Sequence, residues 1–252
     1  MGERAGRLDR GDGVELAWAA RDGRRPTLVF LPGFASDMTG SKALALDAFC
    51  AARGQAMLRL DYSGHGASGG LFEAGCIGRW RDDALLLIDR LTEGPLLLVG
   101  SSMGGWIALL LALARPARIA GLVGIAAAPD FTERLIWQGM TEPARAALAR
   151  HGHLDVPSAY GPPTRITNAL IEDGRRHLLL DAPIPLRAPV RLLHGQCDPD
   201  VPWRTALDLA ERLDSADVQT ILIKDGDHRL SRPADLAILA ATVTTLLGQD
   251  RG

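Results

Sequence analysis

Short apolar runs alternate with helical patterns along most of the chain. Seven runs rich in Val, Ile and Leu predict strands, and Leu96–Val99 is apolar at every position. A strand that is apolar on both faces is typical of a parallel sheet with helices on both sides. The predicted strands are Val14–Ala19, Thr27–Leu31, Ala56–Leu60, Leu96–Gly100, Gly121–Ile125, Val190–His194 and Val218–Ile223.

Apolar residues at helical spacing lie between several of these runs, and they predict amphipathic helices. The segment Trp106–Ala114 is apolar all round, which indicates a central, buried helix. Alternation of strands and helices is typical of an α/β fold with a mostly parallel, doubly wound sheet. Three predicted helix faces carry Trp80, Ala84, Leu87, Ile88 and Leu91; Trp203, Leu207, Ala210 and Leu213; and Leu236, Leu239, Ala240, Val243 and Leu247.

One stretch interrupts the alternation. Residues 129–186 separate two predicted strands and are too many for a simple crossover. Helical patterns occur around Glu142–Arg150 and Thr164–Leu180, with prolines and glycine between them. We interpret 129–186 as a small, mostly helical cap insertion at the carboxyl edge of the sheet, within a single domain that covers residues 1–252.

Composition narrows the class of protein. A chain of 252 residues suits one domain, and a net charge of −2 lacks the basic footprint of a nucleic-acid binder. Three cysteines without metal-site spacing favour free thiols in a reducing compartment. Residues 1–10 lack the apolar core of a secretory signal, and no apolar run reaches the roughly 18 residues of a membrane span. We therefore expect a cytoplasmic protein with no membrane span and no nucleic-acid partner.

A serine flanked by glycines follows the strand predicted at Leu96–Gly100. Residues 100–104 read Gly-Ser-Ser-Met-Gly, which matches the G-x-S-x-G pattern of a nucleophile elbow. On such a tight strand-to-helix turn the serine backbone is strained, and the glycines leave room for it. The hydroxyl then stands at a helix N-terminus, which favours developing negative charge. We therefore predict Ser102 as a nucleophile, the alternative being a glycine-rich turn with an incidental serine.

A serine nucleophile needs a base and an acid that orients the base. In chains with this elbow the order is Ser, then Asp or Glu, then His. Asp198 follows the strand Val190–His194 and is the preferred acid, with Asp200 as the alternative. His228 follows the last predicted strand and is the only histidine after Asp198, so chain order selects it as the base.

The negative oxygen that forms during acyl transfer needs two backbone N–H donors. Met103 directly follows the nucleophile, and Phe34 follows Gly33 in the loop after the Thr27–Leu31 strand. We predict the N–H groups of Phe34 and Met103 as the oxyanion hole, with a plain turn as the alternative at Phe34. Candidate residues for an apolar acyl pocket, for which ordinary packing is an equal alternative, are Trp106, Leu135, Ile136, Trp137 and Met140.

Several motifs together resemble one family. The chain resembles the α/β-hydrolase family that includes the mitochondrial palmitoyl-protein thioesterase, also described as an acyl-glucuronide esterase. The resemblance is carried by residues 31–34 (Leu-Pro-Gly-Phe), 61–64 (Asp-Tyr-Ser-Gly), 100–106, 191–195 and 227–229 (Asp-His-Arg). The resemblance implies an α/β-hydrolase fold, a triad of Ser102, Asp198 and His228, ester and thioester substrates, and no cofactor.

The function expected from these features is a carboxylesterase or thioesterase that works through an acyl-enzyme on Ser102, without a metal ion. The same triad supports hydrolysis of C–C bonds or amides, or acyl transfer to another acceptor, and the fold does not choose among them. A non-catalytic binding module with a hydrolase fold is a remote alternative.

Overall fold

An eight-stranded sheet lies at the centre of the computed structural model, which describes residues 2–158 and 161–248. The spatial order is β1-β2-β4-β3-β5-β6-β9-β10, and β2 alone runs antiparallel to its two neighbours. The strands are β1 Glu3–Asp9, β2 Glu15–Arg21, β3 Arg24–Leu31, β4 Gln55–Leu60, β5 Leu96–Ser101, β6 Ile119–Ile125, β7 His153–Ser158, β8 Gly161–Thr167, β9 Val190–Gly195 and β10 Val218–Ile223. β7 and β8 form a separate antiparallel hairpin.

Helices cover both faces of the large sheet, so the prediction of a doubly wound α/β fold is confirmed. Buried residues of α1 and α7 pack on one face, and those of α2, α3 and α6 pack on the other. The helices are α1 Ser41–Arg53, α2 Ile77–Leu91, α3 Met103–Ala114, α4 Glu142–His151, α5 Asn168–Gly174, α6 Arg204–Arg212 and α7 Pro233–Leu247. α3 is buried along most of its length, because it is apolar all round and lies directly against β5.

Each of the seven predicted strands is present in the sheet. The helix predicted over Thr164–Leu180 is wrong at its start, because residues 161–167 form β8. Thr167 ends that strand, and its hydroxyl accepts a hydrogen bond from the amide of Leu170, which caps α5. The β-branched residues at 164, 166 and 167 favour the strand.

The chain between β6 and β9 begins with a π-helical turn, Thr132–Trp137, and continues through α4, the hairpin and α5. The buried carboxylate of Asp130 joins the two ends of this segment, since it accepts hydrogen bonds of 2.8 Å from the amides of both Leu179 and Leu180. The cap over 129–186 and the single domain over 1–252 stay predictions. Residues 1, 159–160 and 249–252 within those ranges lie outside the described residues. In the described part of the chain, no helix combines the length and apolar character that crossing a membrane requires.

Candidate active site

Ser102 occupies a sharp turn between β5 and α3. Its backbone angles are φ 54° and ψ −119°, in the left-handed region that costs a non-glycine residue about 1–3 kcal/mol. The turn is held by its neighbours, since the Ser102 amide donates to the carbonyl of Ile125 at 2.9 Å. A methyl group at Gly100 would collide with the Gly104 carbonyl, and one at Gly104 would collide with the Leu31 carbonyl. The flanking glycines therefore let strand, helix and the loop after β3 approach closely.

The three residues predicted as a triad meet at the carboxyl edge of the sheet. The Nε2 atom of His228 lies 3.1 Å from the Oγ atom of Ser102, and its Nδ1 atom lies 2.8 Å from Oδ2 of Asp198. Because an ionised carboxylate only accepts hydrogen bonds, the proton of the neutral ring is on Nδ1. Nε2 is then free to accept the serine hydroxyl proton.

The side chain of Asp198 has no exposed surface. Its Oδ1 atom accepts the amides of Asp200 and Val201 at 2.8 and 2.9 Å, and its Oδ2 atom also contacts Nε2 of His194 at 3.1 Å. Burial opposes ionisation, but the hydrogen bonds from His194, His228 and Val201 outweigh it and hold the pKa of Asp198 well below its usual value. Asp198 is thus a permanent anion at neutral pH.

The predicted oxyanion loop lies directly against the nucleophile. A Cβ atom added at Gly33 would lie 3.3 Å from the Ser101 carbonyl oxygen and 3.4 Å from Cβ of Ser102. The loop is fixed from behind, because the buried Tyr62 hydroxyl donates to the carbonyl of Pro32 at 3.2 Å. The ring of Phe34 packs within an aromatic group, with centroid distances of 5.0 Å to Phe72, 5.6 Å to Phe131 and 5.8 Å to Trp80.

A cavity of about 660 Å³ opens beside Ser102 and His228. Part of its wall is apolar, formed by Phe34, Ala128, Phe131, Leu135, Ile136 and Val201. The wall also contains charged residues, namely Asp37, Lys42, Asp200 and Arg229. Such a cavity can accept an apolar chain on one part of a substrate and a polar group on another.

Two of the five residues predicted for an acyl pocket, Leu135 and Ile136, line this cavity. The other three residues predicted for the pocket, Trp106, Trp137 and Met140, are not among the described residues that line this cavity, and the structure places them elsewhere. Trp106 is completely buried in the core, and its indole N–H donates to the carbonyl of His177 at 3.0 Å. Trp137 lies beneath the guanidinium groups of Arg145 and Arg175, while Met140 packs against the edge of the core.

The sequence did not point to Lys42, which lines the cavity and donates to the backbone carbonyl of Arg229, the residue after His228. One signal was available: Lys42 is one of only two lysines among 28 basic residues. Burial and the charge of Arg229 lower the pKa of Lys42 to about 8.

One group of possible metal ligands occurs within the described part of the chain. It consists of Asp198, Asp200 and His228, whose ligand atoms lie within 4.8 Å of one another. A cation there would have to displace N–H donors, because four of them already occupy the oxygens of Asp198. The donor set fits a proton relay better than a metal site.

A strained serine at a strand-to-helix turn, in a sheet of this strand order, defines an α/β hydrolase with the geometry of a serine hydrolase. The chain belongs to the Hydrolase_4 family, described as serine aminopeptidase, S33, which matches residues 22–173. This result confirms the resemblance to α/β hydrolases drawn from the sequence motifs.

Relatives identified by sequence and by structure also support membership of this family. The palmitoyl-protein thioesterase ABHD10, mitochondrial, of Bos taurus is 42% identical over 242 residues, which cover 95% of this chain and 79% of that protein. The structure of mouse alpha/beta hydrolase domain-containing protein 10 has a TM-score of 0.90 at 39% identity and covers 97% of this chain and 98% of its own. A putative hydrolase from Agrobacterium vitis S4 gives a TM-score of 0.92 at 42% identity, with the same two coverages.

The expectation of a cytoplasmic protein is contradicted, because the relative from Bos taurus and those from other mammals are named mitochondrial. That expectation depended on the absence of an apolar signal core at residues 1–10. Mitochondrial targeting segments are amphipathic and rich in arginine, so such an absence does not test for them. Free thiols also suit any reducing compartment.

Proposed function

We propose that this serine hydrolase cleaves carboxylic esters or thioesters through an acyl-enzyme on Ser102. The observation that carries the proposal is the continuous hydrogen-bonded relay from Ser102 Oγ through His228 to Asp198. The relatives named palmitoyl-protein thioesterase support an acyl substrate.

In the first step, Nε2 of His228 accepts the hydroxyl proton while Oγ of Ser102 attacks the acyl carbonyl carbon. The carbonyl π electrons move to the oxygen, which the N–H groups of Phe34 and Met103 stabilise. Each such donor is typically worth about 3 kcal/mol in the transition state. Asp198 stabilises the imidazolium that forms. The tetrahedral centre then collapses, the bond to the leaving oxygen or sulfur breaks, and His228 gives its proton to the leaving group. That group departs as the alcohol or thiol, and His228 is neutral again.

In the second step, water attacks the acyl-serine ester. His228 removes a proton from the water, and the same two N–H groups hold the new oxyanion. Collapse releases the carboxylic acid, and the proton on His228 returns to Oγ of Ser102. The cycle is redox-neutral and consumes one water, so the residues of the relay supply all the proton transfers.

The apolar wall of the cavity suits the acyl chain. Leu135 and Ile136 come from the π-helical turn, and Phe131 precedes it, so this segment determines how much chain is buried. Each methylene that leaves water contributes about 0.8 kcal/mol, or about fourfold in kcat/KM. The value of kcat/KM should therefore rise with chain length until the wall is filled.

The test compares wild type with Ser102→Ala on p-nitrophenyl esters, matched alkyl thioesters and p-nitroanilides of the same acyl chains. Ser102→Ala should lose about 10⁵- to 10⁶-fold in kcat and all labelling by a fluorophosphonate probe. Ser101→Ala is the matched control, because it removes the neighbouring hydroxyl and should keep the labelling. Hydrolysis or labelling that survives in Ser102→Ala contradicts the proposal. Turnover of anilides alone, with no ester or thioester turnover, would assign the relay to amide cleavage instead.

A further inference from the structure

His194 lies near the end of β9, four residues before Asp198, and its side chain has no exposed surface. The ring contacts Asp198, the member of the relay that is not in contact with Ser102. Its Nε2 atom is 3.1 Å from Oδ2 of Asp198 and 3.0 Å from the backbone carbonyl oxygen of Val201. A buried histidine in this place is not required by the three-residue relay itself.

The position of the proton on His194 follows from its neighbours. Both atoms within hydrogen-bond distance of Nε2, a carboxylate oxygen and a carbonyl oxygen, are acceptors. Nε2 must therefore carry the proton and donate it. Nδ1 is buried and has no hydrogen-bond partner among the described residues. The neutral ring with its proton on Nε2 satisfies these surroundings, whereas the other tautomer would bury an N–H group without an acceptor.

His194 is the fourth hydrogen-bond donor to the carboxylate of Asp198. Two backbone amides hold Oδ1, and the rings of His194 and His228 share Oδ2. A carboxylate held by the amides alone keeps freedom to tilt at Oδ2. With the His194 ring as a second donor to Oδ2, that oxygen is held at the point where it accepts the N–H of His228 Nδ1.

We propose that His194 is a positioning residue that fixes the orientation of Asp198, and through it the tautomer and direction of the His228 ring. The inference depends on the proposed function, since it assigns His194 a part in the same relay. His194 does not touch the substrate and transfers no proton. Its contribution is to hold the acid in place during turnover, when the charge on His228 changes.

The test uses two variants of similar size. His194→Gln keeps an N–H donor near the position of Nε2, whereas His194→Met keeps the volume and removes the donor. Misplacing a catalytic group by a fraction of an ångström to 1 Å costs up to about 100-fold, so His194→Met should lower kcat by about 10- to 100-fold with KM unchanged. His194→Gln should recover kcat to within about threefold of wild type, a difference below 1 kcal/mol. Rates are expressed per molecule that reacts with the fluorophosphonate probe, so unfolded protein does not enter them.

Equal kcat values for wild type and His194→Met would overturn the inference, as would a loss in kcat that His194→Gln fails to recover. If His194→Met does not fold, His194→Asn replaces it, because the shorter asparagine amide cannot reach Oδ2 from the same backbone position. Nitrogen-15 NMR of wild-type imidazoles gives a readout that needs no variant activity. It should find the His194 proton on Nε2, and a proton on Nδ1 would overturn the inference. An active Ser102→Ala control would instead remove the proposed function, and the two failures are thereby distinguished.

Discussion

Replacement of Asp198 by asparagine tests the relay most directly, because every partner of its carboxylate is a donor. Oδ1 accepts two backbone amides and Oδ2 accepts two imidazole rings. In Asp198→Asn, one oxygen becomes an NH₂ group that needs an acceptor. If it took the place of Oδ1, it would face the amides of Asp200 and Val201, which cannot change their role. We therefore expect it to take the place of Oδ2.

At that place His228 responds by moving its proton from Nδ1 to Nε2, so that Nδ1 accepts the new N–H group. His194 keeps its proton on Nε2 and its hydrogen bond of 3.0 Å to the Val201 carbonyl. With a proton on Nε2, His228 donates to Ser102 and no longer serves as a base. A triad with this wrong tautomer loses about 10⁴ in kcat, or about 5.5 kcal/mol of transition-state stabilisation.

The assay measures kcat and KM on a short p-nitrophenyl ester for Asp198→Asn and for Asp200→Asn. Asp200 lines the cavity and its backbone amide, which the substitution retains, donates to Asp198. Asp200→Asn should change kcat by less than about threefold, below 1 kcal/mol. A loss under tenfold in Asp198→Asn, or an equal loss in the two variants, would refute the reasoning and bring back Asp200 as the acid.

Two further predictions concern the cavity. Ile136→Trp should reduce kcat/KM on long-chain esters by about tenfold or more and change it little on acetate esters, because the larger ring fills the part of the cavity that the acyl chain would occupy. Leu207→Trp, at an exposed site, is the control. An equal loss on short and long esters in Ile136→Trp would contradict the prediction. The pKa of Lys42 falls from 10.5 to about 8 on folding, so between these values the unfolded chain binds more protons and stability rises with pH. Between pH 8 and 10.5, urea unfolding of the wild type should show a rise of about 2 kcal/mol in the free energy of unfolding, and Lys42→Met should lack this rise. An identical pH dependence in the two proteins would refute the prediction.

The central sheet was predictable because its strands are buried on both faces, which leaves continuous apolar runs in the sequence. β1 was missed for the opposite reason. It pairs with β2 alone, and residues such as Arg4 and Arg7 lie on an exposed edge strand. An edge strand in which few side chains are buried carries no alternation to detect.

The face of α6 was predicted correctly only in part, since Ala210 and Leu213 contact the core but Leu207 does not. The expected stripe included Leu207, which is 38% exposed, whereas the helix buries Ala206 and Leu209. The helix begins at Arg204, so the stripe counted from Trp203 started outside it. In a short helix, one or two residues at the start decide which apolar residues are counted on the same face.

The segment between β6 and β9 was the least predictable part of the site. Its side chains contact the cavity through a π-helical turn, in which spacing differs from the α-helical pattern that sequence analysis assumes. Leu135 and Ile136 therefore line the cavity while Trp137, the next residue, lies beneath two arginines. Composition marked all three as apolar, and only their backbone separates them.

The sequence Asp198-Pro199-Asp200 explains why chain order alone left two candidate acids. The residues are two positions apart on one loop, and both follow β9. The fold separates them, because the side chain of Asp198 points inward to His228 while the backbone amide of Asp200 donates back to Asp198 at 2.8 Å. One aspartate thus contributes its carboxylate and the other its N–H group. That division depends on the turn and on the buried ring of His194, and neither can be deduced from the order of residue types along the chain.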